Sequence, residues 1–110
     1  NYEKGFLTYS KDGISYTDNK GNAIWNQTFE MQNPIVDVCN DVVAIGDYNG
    51  RTIYIMNTSG IMGSITTNRP VRDFCVAGNG VVAVVLDDKD ATWIYLYDSQ
   101  GKELVYFRTT

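Results

Sequence analysis

The chain has no histidine, and only two cysteines and two prolines among its 110 residues. Without histidine it lacks the commonest general base, the usual partner of a nucleophilic triad and the commonest zinc ligand. An even pair of cysteines says little about an oxidising compartment. No apolar run approaches the ~20 residues a spanning helix needs, and no signal-peptide core opens the chain. Basic residues are also few: nine against thirteen acidic ones, a net charge of −4, which is not a nucleic-acid footprint. Against these absences, 44% hydrophobic and 20% charged residues exclude a disordered chain. What remains is one modest globular domain, or a piece of a larger one.

What is present is repetition. Tyr16-Thr17-Asp18-Asn19-Lys20-Gly21, Ile55-Met56-Asn57-Thr58-Ser59-Gly60 and Leu96-Tyr97-Asp98-Ser99-Gln100-Gly101 each end a strand-like run in a polar turn closed by glycine. Gly21, Gly60 and Gly101 lie 39 and 41 residues apart. A second marker keeps a similar period: Pro34-Ile35-Val36-Asp37-Val38-Cys39 and Pro70-Val71-Arg72-Asp73-Phe74-Cys75. Val42-Val43-Ala44 and Val81-Val82-Ala83 follow them in turn. Two independent markers at one period are a repeat.

Inside the repeat the segments are short, rich in aromatic and β-branched residues, and separated by turn chemistry such as Asp47-Tyr48-Asn49-Gly50. No long window holds a helical period unbroken. Eleven strands are expected: 5–10, 14–18 and 23–29; then 34–40, 42–47, 51–57 and 61–67; then 70–77, 81–86, 92–98 and 103–108. Four antiparallel strands per ~40 residues make the blade of a β-propeller. The chain therefore reads as all-β, a single partial propeller domain over 1–110, with blades at 5–33 (incomplete), 34–69 and 70–110. The first blade lacks its innermost strand. The valine-rich second strands do not alternate, which suits burial on both faces between neighbouring blades.

Tyr16-Thr17-Asp18-Asn19-Lys20-Gly21-Asn22-Ala23-Ile24-Trp25 resembles the blade signature of quinoprotein-like, WD40-like propellers, in which a tryptophan follows the turn glycine by four residues. By that count the places of Trp25 in the later repeats hold Ser64 and Val105, so no quinone-binding residue is carried over. The whole chain, with its two Pro-x-x-Asp-x-Cys strands, is similar to a family of uncharacterised bacterial envelope propellers. That resemblance implies fold, an N-terminal membrane tether in the full protein and a cell-envelope setting. It implies no catalytic residue.

The chemistry-bearing residues each have a plain alternative. Cys39 and Cys75 offer a disulfide or metal pair, but matched positions in successive blades suit small buried packing residues better. Asp37 and Asp73 offer a carboxylate ring along a channel, or acceptors for a neighbouring blade's turn amides. Asp87, Asp88 and Asp90 lack the spacing of a calcium loop. Tyr48, Tyr54, Trp93, Tyr95 and Tyr97 are candidates for stacking on a ligand, or for packing between blades.

These readings point to a non-enzymatic binding or scaffold module that presents loops to a protein or glycan partner, with no cofactor and no metal. A propeller enzyme or redox domain with its active residues in other blades, and a structural spacer, are the alternatives. Three blades less one strand fall short of the ~4 that the smallest closed propellers contain. The chain is therefore expected to be part of a longer protein whose exposed blade faces associate with another copy.

Overall fold

The computed structural model describes residues 5–109, which contain strands and turns and no helix. In chain order the strands are β1 (Gly5–Ser10), β2 (Gly13–Asp18), β3 (Ala23–Thr28), β4 (Pro34–Cys39), β5 (Val42–Asp47) and β6 (Thr52–Asn57). There follow β7 (Gly60–Thr66), β8 (Val71–Val76), β9 (Val82–Asp87), β10 (Thr92–Tyr97) and β11 (Glu103–Thr109). Every strand read from the sequence is present to within a residue of its expected bounds. They form three antiparallel meanders: β1-β2-β3, β4-β5-β6-β7 and β8-β9-β10-β11. We call them blades 1, 2 and 3. Residues 1–4 and 110 of the expected domain lie outside the described part.

The repeated turn before each fourth strand works by the same local chemistry. Asp18 accepts the main-chain N–H groups of Lys20 and Asn22, and Asp98 those of Gln100 and Lys102; Asn57 accepts that of Ser59. The side chain thus replaces the partners that the turn takes from the backbone. Gly21, Gly60 and Gly101 close these turns at φ +88°, +126° and +88°.

Blade 2 is buried on both faces, as its valine-rich β5 anticipates. Val42 and Ala44 join Ile53, Ile55 and Ile65 in a core shared with Val82, Val84 and Leu86 of blade 3. The alternate residues Val43 and Ile45, with Met56, join Ile14 and Tyr16 of blade 1. Alternation along one strand therefore sends successive side chains to two different neighbours. Both faces are apolar because both are covered.

The registers correct one equivalence. Trp25 stands opposite Tyr16, and Val105 opposite the matching Leu96, but the residue opposite Ile55 is Gly63 rather than Ser64. The β6–β7 turn is one residue tighter than its counterparts, so a count from the turn glycine overshoots. The difference has a packing consequence. Trp25 spans the gap from blade 1 to blade 2, donating its indole N–H to the Asn57 carbonyl at 3.0 Å. At Gly63 there is no side chain, and the β10–β11 turn of blade 3 moves in. A Cβ there would lie 2.5 Å from the Gln100 carbonyl carbon.

Candidate functional site

Because the blades are meanders, the β1–β2, β5–β6 and β9–β10 turns and the links between blades all share one end of the sheets. The links bond to those turns directly: Met31 N–H donates to Lys11 O, Thr67 N–H to Arg51 O, and Asn49 N–H to Val71 O. All four arginines of the chain (Arg51, Arg69, Arg72 and Arg108) fall at this end. Three clefts among the described residues open beside the same turns and links.

At the junction of blades 2 and 3 this end is filled. The Arg69 guanidinium lies 4.1 Å from the Trp93 ring centroid, and its Nε is 3.3 Å from a carboxylate oxygen of Asp88. Arg108 approaches the same ring at 5.6 Å. The Lys89 main-chain N–H, with Arg69 beside it, holds the Asp88 carboxyl below its ordinary value. The indole N–H of Trp93 makes no well-formed hydrogen bond, though it adds slightly to the pull on Asp88. Arg72 pairs with Asp87 at 2.6 Å, which raises the guanidinium pKa, and Tyr48 adds to that.

The five aromatic residues singled out from the sequence are dispersed. Tyr95 and Tyr97 are buried against blade 2, stacked at 6.0 Å, and burial pushes the Tyr97 hydroxyl up to about 12. Neither ring is free to stack on a ligand. Trp93 lies under its arginines, and Tyr48 stands exposed on the β5–β6 turn. Tyr54 is half-buried in a different place. Among these aromatics, Tyr106 has no counterpart in the sequence reading: it is 53% exposed and stacks on Tyr95 at 5.1 Å.

At the junction of blades 1 and 2 the same end is open. A cleft of about 280 Å³ is lined by Phe29, Glu30, Met31, Asp47, Gly50, Arg51, Thr52 and Tyr54. Phe29 and Tyr54 stack at 6.4 Å and 12° between planes. The carboxylate oxygens of Asp47 are engaged by the N–H groups of Gln32 and Asn33. Arg51 makes no ion pair among the described residues. The contrast between the junctions comes from one link position: the residue before each blade's proline is Arg69 in one and Asn33 in the other. Asn33 is too short to cover an aromatic ring as Arg69 does.

The repeated carboxylates act as acceptors. Asp37 reaches across the blade boundary, and its Oδ2 accepts the main-chain N–H of Val76 at 2.7 Å. The donor ends a strand of the next blade rather than a turn. Asp73 is exposed and, among the described residues, accepts only from Phe74, its own neighbour. Cys39 and Cys75 are free thiols, but the full burial expected of both is met at neither: Cys39 is half-buried and Cys75 is exposed on the outer face of blade 3. No cluster of three or more metal-ligating side chains occurs among the described residues. We expect Asp37→Asn to lower the unfolding free energy by about 1–3 kcal/mol, since it weakens an interblade bond to a charged acceptor. Asp73→Asn should stay within about 0.5 kcal/mol of the parent. Urea unfolding of both variants measures the difference.

The fold places the chain among β-propellers, as a run of three consecutive blades. By sequence it belongs to the DUF5711 family of unknown function, whose pattern matches residues 1–110. No curated protein matches it. It is similar to Hsv2 of Kluyvelomyces marxianus at 13% identity and a TM-score of 0.59, covering 94% of this chain and 34% of that one. A form of KlHsv2 with loop 6CD replaced by a Gly-Ser linker aligns at 16% identity and a TM-score of 0.60, covering 100% and 40%. A protein of unknown function from Bacteroides caccae aligns at 19% identity and a TM-score of 0.54, covering 97% and 43%. The chain thus spans between a third and a half of the length of these structures, and the likeness is one of fold. No helix among the described residues is long and apolar enough to cross a membrane.

Proposed function

We propose that this chain is part of a non-enzymatic propeller binding module of a bacterial cell-envelope protein, and that its arginine-bearing end meets a protein or glycan partner. The observation that supports this reading is the open cleft between blades 1 and 2. There Arg51, with no ion pair among the described residues, stands beside a stacked aromatic pair, in a place that the next junction fills from within. Aromatic rings and guanidinium groups are the side chains that contribute most per residue at recognition surfaces. The envelope setting rests on the family resemblance of the repeats.

The test is a titration with soluble oligosaccharides and with acidic and neutral peptides, followed by intrinsic tryptophan fluorescence. One class should bind, and Arg51→Ala should weaken it about 10- to 100-fold, the equivalent of one charged hydrogen bond. Tyr54→Leu should weaken it as well. Lys102→Ala, at the opposite end, should leave it unchanged. Equal binding by the parent and by Arg51→Ala, or loss of binding in Lys102→Ala, overturns the proposal.

A further inference from the structure

We infer that the cleft between blades 1 and 2 receives a single aromatic side chain, a tryptophan or tyrosine of a protein partner, an inference that rests on the recognition role proposed for that cleft. The next junction holds a ring of this chain at the corresponding place. The pairs Val43–Met56 and Val82–Tyr97 align blade 2 with blade 3. On that alignment Tyr54 stands where blade 3 has Tyr95, and Thr52 where it has Trp93. Ser64, opposite Tyr54, takes the place of Tyr106, opposite Tyr95. Thr66, opposite Thr52, takes that of Arg108, opposite Trp93. The tyrosine is kept, while each of its three larger neighbours is exchanged for a small hydroxyl residue.

The space so left is only partly refilled. The junction of blades 2 and 3 packs three rings: Trp93 lies 6.3 Å from Tyr95 and 5.9 Å from Tyr106, and those two tyrosines lie 5.1 Å apart. Arg69 and Arg108 lie against the indole. The open junction has two rings, Phe29 and Tyr54, with Arg51 beside them. It is one ring short. At about 280 Å³ the cleft falls below the ~300 Å³ at which pockets for whole small ligands begin, and suits one side chain. Phe29, Thr52 and Tyr54 are each only half-buried, so a ring can reach them from solvent. An entering ring gains stacking on two aromatic neighbours and a guanidinium contact like that of Trp93 with Arg69.

The experiment titrates an uncharged glycine-serine peptide with one central tryptophan, and the same peptide with leucine there, into the isotope-labelled chain. Amide shifts of Gly50, Arg51 and Thr52 report on the cleft. The tryptophan peptide should bind at least about tenfold tighter than the leucine peptide, the margin of ring stacking and a cation–π contact together. Thr52→Trp puts an indole of this chain at the place of Trp93, and should weaken the tryptophan peptide at least about tenfold. Should that variant not fold, as judged by its amide spectrum, Ser64→Tyr is measured in the same way. Undiminished binding of the tryptophan peptide by either folded variant overturns the inference. A leucine peptide or an oligosaccharide bound as tightly, and weakened by Arg51→Ala, also overturns it, yet leaves the cleft a recognition site. Shifts at these amides on concentrating the chain alone overturn it too, since a ring of a second copy is then the occupant. If neither peptides nor sugars move these amides, the inference and the proposed function fail together.

Discussion

Truncating Ile55 to alanine should remove about 2–5 kcal/mol of stability, and truncating its counterpart Leu96 should remove only about 1–2 kcal/mol. The two residues hold the same place in successive blades. Ile55 is fully buried between blades 2 and 3, so its deletion leaves a cavity in packed surroundings. Leu96 faces outward and is partly solvated already, so solvent fills the space that its side chain leaves. Denaturant unfolding of both variants gives the comparison directly. Equal losses would show that blade 3 is covered on both faces in solution, and the open-face description would then fail.

A second pair separates backbone strain from interblade contact. Gly21 and Gly101 both adopt φ +88°, in equivalent turns. A side chain in this conformation costs about 1–2 kcal/mol on its own account. At Gly21 a new Cβ would meet nothing within 4 Å, so Gly21→Ala should cost that amount and no more. At Gly101 the Cβ would collide with the carbonyl oxygen of Ser64 in blade 2. A backbone carbonyl in a ladder cannot rotate away as a flexible side chain can. Gly101→Ala should therefore cost about 2–5 kcal/mol, strain and overlap together. A thermal melt distinguishes the two; equal shifts would place the β10–β11 turn farther from β7 than the structure has it.

These contrasts mark where the sequence is informative. Strand positions are legible because they depend on local chemistry: Asn or Asp at the turn start, glycine at its close, and β-branched or aromatic runs between them. The blade count follows from those turns by arithmetic. The double burial of β5 is legible from Val42-Val43-Ala44-Ile45, because only a strand covered on both sides keeps apolar residues at every position. Even the acceptor role of Asp37 is foreshadowed by a carboxylate repeated on a partly apolar strand, which needs donors.

The rest depended on distances across blades. The one-residue tightening of the β6–β7 turn moves Gly63 into the place of Trp25, and no local pattern announces it, since register is set by pairing with β6. Tyr95, Tyr97 and Tyr106 are alike as residues; only the approach of blade 2 buries the first two and leaves the third in solvent. The gathering of four arginines at one end follows from the alternating direction of the strands, which a per-residue reading of charge passes over. Whether the end is filled or open turns on Arg69 against Asn33, because only the longer side chain reaches the ring beside it. Sequence alone determined the strands, their turns and the repeat, since each is fixed by neighbours within a few residues along the chain. Tertiary structure decided register, burial and the open cleft, since each depends on how closely one blade stands to the next.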